Sequence, residues 1–268
     1  MIGNCAHPGV AKPNRHTARC PMFIGRVLFR SWILGVIELV ALDMAGTTID
    51  DHGSVYVALR RCVEETGASV ADADLQRWMG TDKITAIQAL MKLGGVPPSD
   101  GSVAAAFDRF RVILAELYRE TPPVALPGVE DALVELRTRG ILIALTTGFS
   151  DDVALPLLES LGWSVGPGNE HLLDVVVSTS HVTAGRPAPY LIHHAMELTG
   201  VTDVHKVLAA GDTIVDLLAA HNAGVIGVGV LTGELSRAQL AEHPHDHILE
   251  SVAALPGLRV TGLDTPPE

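Results

Sequence analysis

From about residue 127 onward, short apolar runs rich in β-branched residues alternate with segments of helical periodicity, and this rhythm restricts the fold more than any other feature of the chain. Ile141–Thr146, Asp174–Ser178, Val207–Ala210 and Val225–Val230 read as strands, and Val36–Leu42 supplies an earlier one. Asp151–Leu161, Pro189–Leu198 and Ile214–Ala223 read as the intervening helices. Strands that alternate with helices of this length predict an α/β fold, a parallel sheet with helices on both faces. In such sheets ligands bind outside the carboxyl ends of the strands.

The rhythm breaks between Asp51 and about Leu126. Only helical patterns occur there, over Val55–Glu65, Asp72–Met79, Ile84–Leu93 and Ala104–Tyr118. The Gly/Pro-rich stretches Gly94–Gly101 and Thr121–Gly128 punctuate the block. An all-helical insertion directly after the first strand predicts a cap over the sheet's carboxyl edge, with residues 51–126 as cap and residues 32–50 and 127–268 as core.

Composition narrows the function classes. The 268 residues are 47% hydrophobic, enough for a sizeable core, and carry a net charge of −12, which speaks against a nucleic-acid groove. Cys5, Cys20 and Cys62 show no paired spacing, so a reducing cytoplasm is the expected compartment. No uninterrupted apolar run has the length of a membrane span. Residues 1–31 lack periodicity, and Val27–Ser31 can be encoded by GTG CTC TTC CGA TCT, which resembles the end of a sequencing-library adapter. They are expected to be a non-native or disordered extension.

Four strand ends bring polar residues to one edge. Asp43 closes the first strand before the turn Gly46-Thr47-Thr48; Thr147-Gly148 follows the second; Arg186 lies in the stretch Ala184–Pro189; Asp212 ends the next strand, with Asp216 one helical turn later. Asp43, Asp212 and Asp216 form an acidic set fit for a hard cation, most simply Mg2+. Arg186 offers a planar fork for phosphoryl oxygens, and the Thr147 hydroxyl and Gly148 amide can donate to the same group. A carboxylate nucleophile beside a metal and an arginine points to attack on phosphorus through a covalent aspartyl-phosphate.

This order and spacing resembles the haloacid dehalogenase superfamily, whose fold would be a Rossmann-like core with a helical cap. The usual first motif there is Asp-x-Asp, and its second Asp protonates a leaving alkoxide. Here Ala45 stands in that place. Asp43-x-Ala45-Gly46-Thr47 together with Gly185-Arg186-Pro187 is similar to the phosphonoacetaldehyde hydrolases and their close relatives. That likeness implies Asp43 as nucleophile and Mg2+ held by Asp43, the Ala45 carbonyl and Asp212, with Thr47, Met79, Gly80 and Asp216 in support.

The same likeness implies an imine between a cap lysine and the substrate carbonyl. The stretch Trp78–Leu90 resembles the family's Met-Gly-x-x-Lys segment, and Lys83 falls on that lysine. Thr81 is a credible N-cap, which sets Lys83 in a helix's first turn, where the macrodipole and enclosure both lower an amine pKa. An imine also accounts for Ala45. An alkoxide leaving group benefits from a general acid, whereas a carbanion from C–P cleavage needs an electron sink. The family's histidine three residues after the lysine is Ala86 here, and its tyrosine after Thr-Thr-Gly is Phe149.

The sequence therefore predicts a hydrolase that cleaves the C–P bond of a 2-oxoalkyl phosphonate. A Mg2+-dependent phosphomonoesterase is the alternative, and a non-catalytic phosphate sensor a more distant one. The expected partner is a small-molecule phosphonate or phosphate, with no nucleic acid and no membrane; a homodimer is compatible with the sequence. His243–His247 reads as a solvated loop rather than a metal cluster, His193, His194 and His221 as surface or satisfied core residues, and Cys62 as core packing.

Overall fold

Leu39–Asp43 (β1) is buried at every position because both faces of the sheet are covered. Val40 and Leu42 point into one apolar cluster, and Leu39 and Ala41 into the other. This is the pattern of a central parallel strand, apolar throughout instead of alternating. The computed structural model describes residues 37–168 and 170–258. The expectation for residues 1–31 lies outside them.

Beside β1 lie Leu142–Thr146 (β4) on one side and Val207–Gly211 (β6) on the other. Val175–Val177 (β5) extends the sheet beyond β4, while Ile226–Val230 (β7) and His247–Leu249 (β8) extend it beyond β6. The order is β5-β4-β1-β6-β7-β8, parallel throughout. The chain leaves β1 toward β4 and later crosses back to β6. The carboxyl end of β1 is thus the topological switch point, where such folds bind ligands. The helices Tyr190–Thr199 (α7) and Ile214–Ala223 (α8) pack Leu191, Ile192, Ala195, Ala219 and Ala220 on one face.

Between β1 and β4 the chain builds four successive helices: Ser54–Glu64 (α1), Asp72–Arg77 (α2), Lys83–Leu93 (α3) and Asp100–Glu120 (α4). Ser99 and Ser102 form a capping box that starts α4 four residues earlier than periodicity predicts. The segment leaves and returns through a two-stranded antiparallel ladder, Ile49–Asp50 (β2) against Val124–Ala125 (β3). Leu126 N–H donates to the Thr48 carbonyl at 3.0 Å, closing the ladder beside the turn that follows Asp43.

Three elements differ from the sequence reading. Val129–Thr138 (α5) precedes β4 in a stretch not assigned a helix. The expected loop His243–His247 ends in β8, because Asp246 both donates its N–H to the Gly227 carbonyl and accepts from Gly227 N–H, pairing the chain with β7. The N-cap of α3 is Asp82, not Thr81: the Asp82 carboxylate accepts from Thr85 N–H at 2.9 Å. A carboxylate outcompetes a carbonyl or hydroxyl for an unpaired first-turn N–H. Lys83 still opens the helix. His193 bonds the Ala223 carbonyl, His194 pairs with Glu197, and Cys62 is buried, as expected. Among the described residues no helix is long and apolar enough to cross a membrane.

Candidate active site

Asp43 ends β1 opposite Thr146 of β4 and is 6% exposed. Its Oδ1 accepts from Arg186 Nη1 at 2.6 Å. Burial pushes its carboxyl up to about 6, held from going higher by Arg186 and pushed further by Asp216. The Arg186 guanidinium also donates from Nη2 to the Thr146 carbonyl and hydroxyl, both at 2.8 Å, and pairs from Nε with Asp216 at 2.8 Å. The sequence offered Arg186 as a free fork. In the structure it is a bolt through the site, with Nη1 as the edge that faces Asp43.

Asp216 is correspondingly engaged. It accepts from Thr213 N–H and Thr213 Oγ1 at the head of α8, besides the arginine, which leaves it less available to a cation than its sequence position suggests. Asp212 is different. Its Oδ1 accepts from Thr47 Oγ1 at 2.8 Å, and burial together with the charge of Asp43 pushes its carboxyl well up. A Cβ on Gly46 would sit 2.6 Å from Asp212 Oδ2, and one on Gly233 would also overlap that oxygen, so the backbone closes round it.

These features test whether a divalent cation fits. Carboxylate oxygens of Asp43, Asp212 and Asp216 lie within 4.8 Å of one another, all buried. The Ala45 carbonyl accepts no hydrogen bond from the described residues: the bridge between Ala45 and Ile49 uses the Met44 carbonyl and the Gly46 amide instead. Two clustered, desolvated carboxylates beside an unused carbonyl are a hard-oxygen donor set suited to Mg2+. A cation there would offset the burial and the carboxylate repulsion that together raise both acids.

Thr147 and Gly148 follow β4. Thr147 Oγ1 accepts from Phe149 N–H at 3.1 Å, leaving its own proton to donate, and the Gly148 N–H has no partner among the described residues. Both line a cavity of about 110 Å³ with Asp43, Asp212, Arg186 and Lys83. At roughly 30 Å³ per water this holds only a few waters, or one phosphoryl-sized group.

Lys83 enters that cavity from the helical insertion. It is 5% exposed, donates to the Thr81 carbonyl at 3.1 Å and lies 5.5 Å from the centroid of the Phe149 ring. Burial pushes its amine down to about 8, with Arg186 adding to the fall and Asp43 opposing it. The turn that carries it is tightly held. Gly80 has φ +76°, a conformation glycine adopts without strain, and any Cβ there would overlap Thr213 and Val215. A Cβ on Gly148 would come within 2.8 Å of the Thr81 carbonyl. Met79, 7% exposed, lines the same cavity. Sequence and structure therefore bring Asp43, Ala45, Thr47, Met79, Gly80, Lys83, Thr147, Gly148, Arg186, Asp212 and Asp216 to one place.

Other residues at the site carried no sequence signal. Asp51 is buried, accepts from Val55 N–H in the first turn of α1 at 2.8 Å, and lines the cavity. Burial raises its carboxyl. Tyr56 lines it too, its hydroxyl donating to Gln76 at 3.1 Å. Thr232 ties the loop after β7 to the Gly46 carbonyl at 2.6 Å. Ala86, where the family has histidine, is fully buried in the apolar cluster.

A parallel sheet with a carboxylate at its switch point, closed over by helices, defines a class, and comparison with known proteins agrees. Residues 37–224 match the family model for haloacid dehalogenase-like hydrolases. The chain belongs to that family and is an enzyme of the hydrolase class. It is 29% identical to a phosphonoacetaldehyde hydrolase from Lactiplantibacillus plantarum, across 83% of this chain and 95% of that one. A phosphonoacetaldehyde hydrolase from Bacillus cereus is 30% identical, across 79% of this chain and 83% of its own length. Among solved structures, a phosphonoacetaldehyde hydrolase-like protein from Oleispira antarctica superposes with a TM-score of 0.70 at 21% identity, covering 84% of this chain and 91% of that one.

Proposed function

We propose that the protein hydrolyses the C–P bond of a 2-oxoalkyl phosphonate, with Asp43 as nucleophile and Lys83 as the imine-forming amine. The observation that carries this reading is Lys83 itself: an amine buried in the same small cavity as Asp43, with its pKa down at about 8. A lysine kept for solubility would not be buried beside an arginine, because desolvation of a charge is costly.

The neutral amine adds to the carbonyl at C2 of the substrate, and loss of water gives a protonated imine. The Asp43 carboxylate attacks phosphorus. An O–P bond forms, the C–P bond breaks, and its electron pair passes into the iminium to give an enamine. Protonation at carbon and hydrolysis release a methyl ketone or aldehyde and restore the lysine. Water then cleaves the aspartyl-phosphate to inorganic phosphate. No alkoxide leaves, so no acid is required where Ala45 stands.

Arg186 Nη1 faces Asp43 and can exchange that bond for a phosphoryl oxygen, while the Thr147 hydroxyl and Gly148 N–H supply further donors. Asp43, Asp212 and the Ala45 carbonyl would hold Mg2+. Bound there, it would supply positive charge against the phosphoryl oxygens. Asp216 holds Arg186 in place, and Thr47 holds Asp212.

A phosphate-release screen with Mg2+ tests the proposal, with 2-oxopropyl phosphonate and phosphonoacetaldehyde set beside simple phosphomonoesters. The expected result is turnover of the oxo-phosphonates with little release from the esters. Faster release from esters would replace this reading with the phosphomonoesterase one.

A further inference from the structure

A second cavity, of about 850 Å³, opens on the other side of Lys83. Lys83, Gly148 and Arg186 line both it and the reaction cavity, so the two meet at the amine and the phosphoryl donors. The smaller chamber has room for one phosphonate group. The larger one has the volume that takes whole metabolite-sized ligands. A formyl hydrogen or a methyl group on the reacting carbonyl would leave it to water.

Its walls are selective. Trp78, Ile84, Phe107, Val182 and Val215 give an apolar lining, and Ile84 remains 52% exposed. One cation is left over. Arg77 lines the cavity and is exposed, and it has no hydrogen bond or ion pair among the described residues. Asp82, the acid on this wall, accepts from Thr85 N–H and forms no ion pair with Arg77. In a chain of net charge −12 a cation on a cavity wall without an acid partner suits an anionic ligand.

We infer that this second cavity is a substrate subsite: the preferred substrate is a 2-oxoalkyl phosphonate whose carbonyl carries, on the side away from phosphorus, an apolar chain of several carbons ending in a carboxylate. The phosphonate occupies the small chamber, and the carbonyl stands at Lys83. The chain lies along Ile84, Phe107 and Val215, and the carboxylate accepts from Arg77. This rests on the function proposed above for the reaction itself, but the subsite can be read without catalysis.

The test uses ligands that lack the oxo group and cannot react. Binding of methylphosphonate, hexylphosphonate and 6-phosphonohexanoate to the full chain with Mg2+ is measured by calorimetry. Hexylphosphonate should bind more tightly than methylphosphonate, by roughly two- to fourfold per buried methylene. 6-Phosphonohexanoate should gain about a further tenfold, the scale of a hydrogen bond to a charged group. Arg77→Met should erase that further gain. Lys92→Met, which removes a cation from the neighbouring surface, should leave the gain in place. Equal binding of the three ligands, or a carboxylate gain that survives Arg77→Met, would overturn the subsite. In parallel, turnover of 2-oxopropyl phosphonate reads the proposed reaction alone. Turnover with equal binding retires the subsite and keeps the reaction. Graded binding without turnover retires the reaction and keeps the subsite.

Discussion

Lys83→Met should stabilise the protein while abolishing C–P cleavage. The fold lowers the lysine pKa from 10.5 to about 8, chiefly because burial removes the ammonium from water. The folded state therefore favours the neutral amine, and between those two values it binds fewer protons than the unfolded chain. Stability then rises with pH across that window. Below about 8 the folded protein carries the full penalty, and at about 1.4 kcal/mol per pKa unit it amounts to about 3 kcal/mol at pH 7. It shrinks to about 2 kcal/mol at pH 9 and to under about 0.5 kcal/mol near pH 10.5. Methionine has similar length and no charge, so it removes the penalty. The variant should unfold at higher denaturant than the wild type at pH 7, with a smaller advantage at pH 9. In a thermal scan the gain should be roughly 6–12 °C at pH 7 for a domain of this size. Lys83→Arg keeps a charge that cannot be shed and should be less stable than the wild type. A Met variant no more stable than the wild type at pH 7, or equally favoured at both pH values, would refute the claim that the amine is held at a cost.

Asp43→Asn should lower phosphate release by at least about a thousandfold with little change in melting temperature, because shape is kept and only the nucleophile is lost; near-normal kinetics would remove the phosphoryl site. Gly148→Ala forces a methyl against the Thr81 carbonyl at 2.8 Å, and displacement of the Lys83 turn should cost about a hundredfold in kcat/KM and about 1–3 kcal/mol in stability. The pH profile of kcat/KM should rise through about 8 as Lys83 loses its proton, and a profile flat across that range would contradict a neutral-amine mechanism. Mg2+ at about a hundred times its dissociation constant should stabilise the fold by about 2.7 kcal/mol, and Asp212→Asn should remove most of that gain.

The sheet and most of the site were legible because their signals are local. Strand ends, a Gly-Thr-Thr turn and a lysine after Met-Gly each lie within a few residues, and topology alone brings them to one edge. The features that escaped depend on distant partners. β8 exists because Asp246 bonds to Gly227, a pairing no hydropathy pattern announces in His243–His247. Thr81 reads from sequence as the α3 cap, and the geometry gives the Thr85 N–H to the Asp82 carboxylate one residue later. Arg186 and Asp216 were placed at the site, but their mutual pairing at 2.8 Å was invisible, so a free phosphate fork was expected where a braced one stands. Asp51 carries no motif of its own, and only its burial and its place on the lining show that it faces the reaction cavity.

The central claim is the covalent link between Lys83 and the substrate carbon. Borohydride added during turnover of 2-oxopropyl phosphonate reduces an imine to a stable secondary amine, which peptide mass spectrometry locates. The account predicts progressive, substrate-dependent inactivation, with the added mass on the peptide that contains Lys83 and none on Lys92 or Lys206. Turnover undisturbed by borohydride, or label on any other lysine, would contradict it.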